Sequence, residues 1–485
     1  MAKIIGRKSE IEELERRYRS DKAQFVAVYG RRRVGKTFLI GEVFKGRITF
    51  QHSGLSPYDQ QHKVTMKDQL QAFHVSLLRA GMDLSVPCPT SWIQAFLLLS
   101  QLLERKDNGK RQLVFIDELP WMDTPKAGFL AAFENFWNGW GCFRDNLMLV
   151  ICGSSTSWIL DNVINSQGGL YDRLSCPMKL LPFNLKETEE MLKSENIKLS
   201  RYDIAQVYMT VGGIPYYLSL MKPGLGYAQN VDALFFEDNS PLKGEFDRLF
   251  KTLFKASGDY VKIVEVLAGR NYGFTRDEIS EKTGISKGGG FSEMLKNLCE
   301  SDFIEAYEYE YPQKRGTHYK LKDEFCSFYL RFISGKKISD PHYWLDSQRS
   351  AALNAWRGIA FEHLCCKHIL QIKRCLGISG VVSRNSQVII PSGPDVKGAQ
   401  IDLLIDRDDN IVNLCEMKFY KDEYSATEDD GIRLEQRVEA VQNVLDKNKT
   451  IQVVLITNKG LKYGAHSGAY QKVLTLDDLF WENGY

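Results

Sequence analysis

Short apolar runs alternate with stretches of helical periodicity over the first third of the chain. The apolar runs lie within 24–44, 111–123 and 147–155. Strands that alternate with helices usually form a parallel sheet, and ligands bind at the carboxyl ends of its strands. The pattern predicts an α/β core over residues 1–180.

A different order follows over residues 256–335. Three helical stretches precede a hairpin-like segment whose turn is expected near Pro312–Gly316. The second helix begins at Thr275, and Glu278 three residues later completes a capping box. This is the order of a winged helix-turn-helix, a module that often binds DNA.

The charge of this module argues against strong DNA binding. Residues 285–320 contain five basic and six acidic side chains, whereas phosphate contacts need clustered positive charge. Only the expected wing tip, with Lys314, Arg315 and His318, is suited to touch a phosphate backbone. The alternative is a packing or relay module.

A second α/β pattern occupies residues 350–485. Aromatic residues at helical spacing over 318–333 predict a core helix, and the polar stretch 334–344 predicts a linker. Beyond it come a helix near 354–370, a hairpin in 398–422, a helix at 435–445 and a strand at 451–460. The fold class is therefore multidomain α/β.

Bulk composition supports a multidomain globular protein. The 485 residues are 44% hydrophobic and 26% charged, with a net charge of +2, so no global attraction to nucleic acid or membrane is expected. Ten cysteines without a C-x-x-C pair favour reduced thiols. The start lacks an apolar signal segment, and no run reaches the roughly 18 apolar residues of a spanning helix. These features predict a cytoplasmic protein without a membrane partner.

The turn after the first apolar run reads G-x-x-x-x-G-K-T. Its glycines allow backbone N–H groups to surround phosphates, the lysine reaches the terminal phosphates, and the threonine hydroxyl binds Mg²⁺. ATP and Mg²⁺ are the predicted cofactors. The expected nucleotide-binding residues are Gly30, Arg31, Arg32, Arg33, Val34, Gly35, Lys36, Thr37 and Phe38.

Further candidates follow the next two apolar runs. Asp117 ends one run and is expected to hold Mg²⁺, while Glu118 could act as the general base toward water. Ser154 or Ser155 could lie beside the γ-phosphate, although a simple strand-ending turn explains them equally well. Arg173 could stabilise transition-state charge in its own subunit or in a neighbour's, or form an ordinary salt bridge.

These residues resemble the archaeal-type ATPases of the AAA+/STAND group. The similar segments lie in 6–14, 29–37, 114–122, 151–155 and 211–220. The resemblance implies a P-loop core, a helical lid over 181–255, a winged helix and possible homo-oligomers. It also implies that Gly6 and Arg7 lie near the nucleotide base, and that Gly213 and Pro215 fix the chain between lid helices.

The hairpin in 398–422 has acids inside apolar runs. Glu416 and Lys418 share a strand face, and Asp402 can meet Glu416 across the turn. Two carboxylates can bind a divalent cation that activates water, and Lys418 can offset transition-state charge. Glu362 could add a third acid. Gln436 could be an accessory residue on the following helix, although exposed helix surface explains it better. Ordinary charges on an exposed strand face are the alternative.

The pattern Glu362…Asp402…Glu416-x-Lys418 resembles the PD-(D/E)xK nuclease superfamily, although Ile401 replaces the usual proline. The resemblance implies a restriction-endonuclease-like domain over 350–485. The leading hypothesis is an ATPase coupled to a metal-dependent nuclease acting on DNA. The rival is an ATP-driven switch or scaffold whose C-terminal domain binds a partner without cutting it.

Overall fold

The computed structural model describes residues 4–57, 63–166, 168–254, 256–308, 316–390, 398–445 and 448–481. The chain groups into two compact units. Unit 1 comprises Met1–Pro182, Asp247–Tyr260 and Gly289–Asp302, and unit 2 comprises Phe183–Phe246, Val261–Gly288 and Phe303–Tyr485. In the described ranges, no helix has the length and apolarity needed to cross a bilayer. The four predicted domain ranges stay a prediction.

A five-stranded sheet organises unit 1. Its strands are β1 (Gln24–Tyr29), β2 (Ile48–Ser53), β3 (Gln112–Asp117), β4 (Leu147–Gly153) and β5 (Cys176–Lys179). Every pairing is parallel, in the order β2-β3-β4-β1-β5. Strands β3 and β4 are buried along their full length, as expected for a parallel sheet covered on both faces. The predicted parallel α/β sheet is confirmed.

Helices complete the core of unit 1. They are α1 (Lys8–Tyr18), α2 (Lys36–Val43), α3 (Met66–Arg79), α4 (Trp92–Arg105), α5 (Phe129–Gly139) and α6 (Thr156–Ile159). Aromatic rings of α3, α4 and α5 pack together. Trp92 meets Phe129 edge-on at 4.9 Å, and Phe96 stacks on Phe136 at 5.2 Å. Such ring pairs fix the helices beside the sheet, which holds the strand ends in place.

Unit 2 begins with helices in the region predicted as a lid. They are α7 (Leu185–Ser194), α8 (Arg201–Val211), α9 (Pro215–Leu218) and α10 (Tyr227–Phe235); α11 (Glu245–Leu253) and α12 (Ser257–Ala268) each contain a boundary between the units. Gly213 has no room for a side chain, because a Cβ there would lie 1.9 Å from the Phe183 carbonyl oxygen. Pro215 opens α9, where its missing N–H costs nothing.

The region predicted as a winged helix contains a small antiparallel sheet. Its elements are β6 (Phe274–Thr275), α13 (Arg276–Thr283), α14 (Gly289–Glu300), β7 (Ile304–Tyr307) and β8 (His318–Leu321), with the strand order β6-β8-β7. The predicted capping box of Thr275 and Glu278 is confirmed. Helix α14 belongs to unit 1. The predicted wing-tip residues Lys314 and Arg315 lie outside the described residues, whereas His318 begins β8.

The aromatic helix and the predicted linker differ in outcome. Helix α15 (Glu324–Phe332) buries Phe325 and Phe328, so the predicted core helix is confirmed. The linker prediction is wrong at its end, where α16 (Tyr343–Asp346) begins. Trp344 is fully buried and its ring meets Phe328 at 4.8 Å. Polar neighbours hid this packed tryptophan from the sequence pattern.

The last part of unit 2 is a mixed five-stranded sheet. Its elements are α17 (Ala351–Lys367), α18 (Ile369–Cys375), β9 (Ser383–Ile390), β10 (Ala399–Arg407), β11 (Ile411–Lys418), α19 (Glu428–Gln442), β12 (Thr450–Thr457) and β13 (Lys472–Thr475). The order is β13-β12-β11-β10-β9, antiparallel from β9 to β11 and parallel from β11 to β13. The predicted hairpin is confirmed as β10–β11. The two edge strands, β9 and β13, were not predicted from the sequence.

Candidate functional site

The loop between β1 and α2 depends on two glycines. Gly30 has φ +137°, and a Cβ there would lie 2.4 Å from the Leu180 carbonyl oxygen. Gly35 has φ +92° and precedes the first residue of α2. Only glycine adopts these conformations without strain. The loop therefore turns tightly from the carboxyl end of a central strand into a helix N-terminus, which favours anions.

Lys36 lies inside this loop, where its ammonium group forms no ion pair with the described residues. Its Nζ donates to the carbonyl oxygens of Gly30 at 2.8 Å and Arg31 at 3.0 Å. Burial lowers the pKa of Lys36. Neutral carbonyls compensate a buried ammonium only partly. The ammonium is therefore suited to bind an incoming anion.

Asp117 and Thr37 meet at the end of β3. The threonine hydroxyl donates to Asp117 Oδ2 at 2.8 Å. Burial raises the pKa of Asp117, and the charge of Glu118 adds to this rise. A hydroxyl and a carboxylate at one strand end are hard oxygen donors of the kind that Mg²⁺ binds together with phosphates. These two residues fit the predicted magnesium ion.

Glu118 is held by Ser154. Its Oε2 accepts hydrogen bonds from the backbone N–H and the hydroxyl of Ser154, both at 2.9 Å. Glu118 also has φ +46°, a strained conformation for a residue with a side chain. Ser155 follows without capping the next helix. Of the two candidate serines, Ser154 is the one that contacts the predicted general base.

The remaining predicted nucleotide-site residues lie at different depths. Arg7 is buried beneath the loop, where its guanidinium donates to the carbonyls of Leu181 at 2.6 Å and Val34 at 3.4 Å. Gly6, the preceding residue, has φ +59°. Arg32 lies over the Trp121 ring at 5.9 Å, and Phe38 is 48% exposed. Arg7 thus supports the loop through buried hydrogen bonds to backbone carbonyls, while Arg32 and Phe38 lie nearer the surface of the loop.

Arg173 is exposed on the turn before β5. Its backbone N–H donates to the Leu170 carbonyl at 3.1 Å, and Asp172 beside it has φ +54°. The side chain forms no ion pair with any described residue, so the salt-bridge alternative has no support there. A role of Arg173 in stabilising transition-state charge, in its own subunit or in a neighbour's, stays a prediction.

The comparisons with known proteins agree with this loop. The family described as "ATPase domain predominantly from Archaea" matches residues 4–221. This match supports an archaeal-type ATPase domain over residues 4–221. The matched range contains the loop, Asp117, Glu118 and Ser154. The match therefore supports ATP binding and ATPase activity.

Two relatives and one solved structure are examples of proteins similar to this chain. An uncharacterized protein of Methanocaldococcus jannaschii, MJECL04, is 26% identical over 76% of this chain and 78% of its own length. An uncharacterized ATP-binding protein of the same organism, MJ0632, is 24% identical over 55% of this chain and 85% of its own length. The Walker-type ATPase PABY2304 of Pyrococcus abyssi is 19% identical, with a TM-score of 0.47 over 68% of this chain and 96% of that chain.

A second group of charged side chains lies on the β10–β11 hairpin of unit 2. Leu403 pairs with Cys415, so their strand neighbours Asp402 and Glu416 lie side by side. Asp402 is 8% and Glu416 6% exposed, and Asp402 Oδ2 accepts the Met417 N–H at 3.0 Å. The alternative of ordinary charges on an exposed strand face is therefore wrong for these two acids.

Two cations engage Glu416. Lys418 Nζ lies 2.7 Å from Oε1, and the Arg437 guanidinium of α19 binds Oε2. Burial acts to raise the pKa of Glu416, but Arg437 and Lys418 outweigh it and hold the pKa below its usual value. Arg437 was not predicted from the sequence, where Gln436 was the one accessory candidate on this helix. One residue along a helix turns the side chain by about 100°, so only the packed helix reveals which residue faces the acids.

Glu362 of α17 is the third acid of this group, and it interacts electrostatically with Asp402 and Glu416. Burial, followed by the charge of Asp402, raises its pKa to about 8. Burial and the charge of Glu416 raise the pKa of Asp402 to about 6. The Glu362 carboxyl therefore keeps its proton to a higher pH than an exposed glutamate does. These three acids and their two cations are called the acid cluster below.

The acid cluster contains oxygen donors that suit a divalent cation, but its side chains are not positioned as a metal site in this structure. Within the described ranges, no three His, Cys, Asp or Glu side chains form a ready metal group. Buried carboxylate oxygens are the donors that Mg²⁺ and Mn²⁺ prefer. Asp402 and Glu416 fit such an ion once Arg437 releases Glu416. The metal prediction for these two acids stays a prediction.

Proposed function

We propose that this protein is an AAA+/STAND-type ATPase that controls a metal-dependent nuclease site in its own C-terminal region. The family match over residues 4–221 supports ATP binding and ATPase activity. The observation that carries the nuclease proposal is the pair of buried acids, Asp402 and Glu416, on adjacent strands with Lys418 beside them. The same residues support a PD-(D/E)xK-like fold for residues 350–485.

At the ATP site each side chain has a defined task. Lys36 would exchange its two carbonyl acceptors for phosphate oxygens, because a charged acceptor binds an ammonium more strongly. Thr37 and Asp117 would hold Mg²⁺, which neutralises developing phosphate charge when bound. Glu118 would leave Ser154 and take a proton from the attacking water. Arg173 would supply positive charge to a neighbouring subunit.

At the acid cluster, Asp402 and Glu416 would hold the cation, which when bound would lower the pKa of a water molecule and stabilise phosphodiester charge. Lys418 would orient that water or compensate the transition state. Burial and the charge of Asp402 raise the pKa of Glu362, and in its protonated form this side chain would donate a hydrogen bond. Arg437 would move from Glu416 to a substrate phosphate, since guanidinium binds phosphate in a bidentate manner.

The region 256–335 would connect the two activities. Its order of helices and strands supports a winged helix, but its cations support a relay more than DNA recognition. Lys287 pairs with Asp277 at 2.8 Å, and Lys296 pairs with Asp161 at 2.6 Å. Paired lysines offer little charge to phosphates.

The test uses the full-length protein with circular, linear and single-stranded DNA and with RNA, in Mn²⁺ or Mg²⁺, with and without ATP. We expect cleavage that disappears in Glu416→Ala and Lys418→Ala and changes its nucleotide dependence in Lys36→Ala. Glu423→Ala, an exposed acid near the same hairpin, is the matched control and should cut normally. Equal cutting by all variants, or no cutting of any substrate, would overturn the nuclease proposal.

A second candidate is an ATP-driven switch or scaffold that binds a partner without cutting. The observation that favours it is the full engagement of Glu416 by two cations. In this case ATP and ADP should change the oligomer size measured by light scattering. Mn²⁺ should then leave the protein's thermal stability unchanged.

A further inference from the structure

A cavity of about 1000 Å³ opens beside the acid cluster, wholly within unit 2. Glu362 and Lys418 of the cluster form part of its wall, and the segment after β11 continues that wall. The rest comes from α8, α10, α16, α17 and the turn between α16 and α17. These two side chains of the acid cluster therefore lie at the edge of a half-open cavity.

The wall of the cavity is positively charged. Its cationic side chains are Arg349, Arg357, Lys418 and Lys421, and its acidic side chains are Asp203 and Glu362. The formal charge of these six side chains is +2, but Glu416 balances the charge of Lys418, so the excess positive charge lies on Arg349, Arg357 and Lys421. Arg349 and Lys421 are exposed and form no ion pair with any described residue. Unpaired cations on a concave wall attract an anionic ligand.

Aromatic side chains interleave with these cations. Tyr202 stacks on Phe419 with ring centroids 5.0 Å apart and planes 6° apart, and both line the cavity. Tyr420, also in the wall, is 51% exposed. A positive groove with aromatic rings is the arrangement that binds unpaired nucleotides, because bases stack on the rings while phosphates meet the cations.

The size of the cavity selects among nucleic acids. A volume of about 1000 Å³ corresponds to a space about 10 Å across. The major groove of a B-form duplex alone is about 12 Å wide, so a duplex does not enter. A few unpaired nucleotides fit within the usual range of ligand pockets, up to about 1,000 Å³.

We infer that this cavity binds a single-stranded polynucleotide and leads it to the acid cluster. The claim that the bound strand is also the strand cut rests on the proposed nuclease function; the binding itself does not. Phosphates would meet Arg349 and Lys421 at the entrance, a base would stack on Tyr420, and the strand would continue toward Lys418 and Glu362.

Binding is tested on the full-length protein in EDTA, so that no cleavage occurs. Fluorescence anisotropy would follow labelled dT20, rU20 and a 20-base-pair duplex, with thymidine monophosphate as competitor. We expect dT20 or rU20 to bind at least tenfold more tightly than the duplex, with affinity falling as salt rises. The two strands distinguish DNA from RNA. Duplex binding as tight as strand binding, or binding of the mononucleotide alone, would overturn the inference.

Matched variants locate the binding. Arg349→Glu combined with Lys421→Glu should weaken strand binding at least tenfold, whereas Arg433→Glu with Lys472→Glu, exposed cations outside the cavity wall, should not. Tyr420→Ala should weaken it about tenfold and Tyr420→Phe should restore it, because stacking needs only the ring. Tyr463→Ala, 96% exposed and outside the wall, is the control. Equal effects of wall and control variants would overturn the inference.

The inference and the nuclease proposal can fail separately. Strand binding that depends on Arg349 and Lys421, with no cutting in Mn²⁺, would support the cavity and refute the nuclease. Cutting of duplex and single strand at equal rates, unaffected by the wall variants, would refute the cavity and support the nuclease.

Discussion

Two lysines in this protein each lie near a pair of acids on or beside buried strands, but their hydrogen-bond partners differ. Lys36 of unit 1 rests on two backbone carbonyls and forms no ion pair with any described residue. Lys418 of unit 2 is paired with Glu416, whose other oxygen is bound by Arg437. The first cation is ready for an anion, while the second belongs to a group that is already charge-balanced.

The difference predicts how each site responds to its ligand. When Lys36 moves from neutral carbonyls to phosphate, it exchanges weaker hydrogen bonds for charge-assisted ones. This exchange favours nucleotide binding. Opening a buried ion pair is costly, because one charge remains without its partner. A cation at the acid cluster must therefore compete with Arg437, and a substrate phosphate that attracts Arg437 would assist it.

The largest expected effect is that of Lys36→Ala. Two charge-assisted hydrogen bonds to phosphate are each worth about 1.5–3 kcal/mol, so ATP affinity should fall by roughly 10²–10⁴-fold and hydrolysis should be lost. Calorimetry with ATP and phosphate-release assays would measure both. Lys45→Ala, an exposed lysine just after α2, should behave as wild type. Near-normal ATP affinity in Lys36→Ala would contradict the claim that Lys36 is ready to bind an anion.

Glu118→Gln should separate binding from turnover. The amide keeps a hydrogen-bond acceptor for Ser154 but cannot take a proton, so hydrolysis should fall by about 10²-fold or more while ATP still binds. Trapped ATP on the purified variant, measured by chromatography of the bound nucleotide, would show this. Unchanged turnover would exclude Glu118 as the base.

Arg437→Gln tests the charge balance of the acid cluster. Removing one partner of the buried Glu416 should lower the free energy of unfolding by about 1–3 kcal/mol in EDTA. Mn²⁺ should then raise the thermal midpoint of the variant more than that of wild type, because the ion replaces the lost charge. Arg433→Gln, an exposed arginine on the same helix, is the control. Equal Mn²⁺ shifts in all three proteins would show that Arg437 does not compete with metal.

Ser154→Ala should have the smallest effect. The backbone N–H of residue 154 still donates to Glu118, and only the hydroxyl donor is lost. A hydrogen bond to a charged group is worth about 1.5–3 kcal/mol, and the remaining N–H donor favours the lower figure, so the hydrolysis rate should change by roughly tenfold. Ser155→Ala, whose hydroxyl contacts no described residue, should leave the rate unchanged. A change above a hundredfold would mean that Ser154 contacts the nucleotide itself.

Local features were predictable from the sequence, and features made by packing were not. The Gly30–Thr37 loop, the acid at the end of β3 and the β10–β11 hairpin each follow from a few adjacent residues, and the structure contains them all. The role of Arg437 could be recognised only once the side of α19 that faces the sheet was known. The burial of Trp344 depends on the aromatic residues packed around it, and the cavity is formed by four segments that are distant in sequence.

Mn²⁺ binding to the nucleotide-free protein tests the central claim most directly. The ATP site needs phosphates to complete its magnesium shell, so without nucleotide only the acid cluster should take up the ion. Titration followed by electron paramagnetic resonance should find one site in wild type and in Lys36→Ala, and none in Glu416→Gln. A Mn²⁺ count that Glu416→Gln leaves unchanged, or no bound Mn²⁺ in any of the three proteins, would contradict the account.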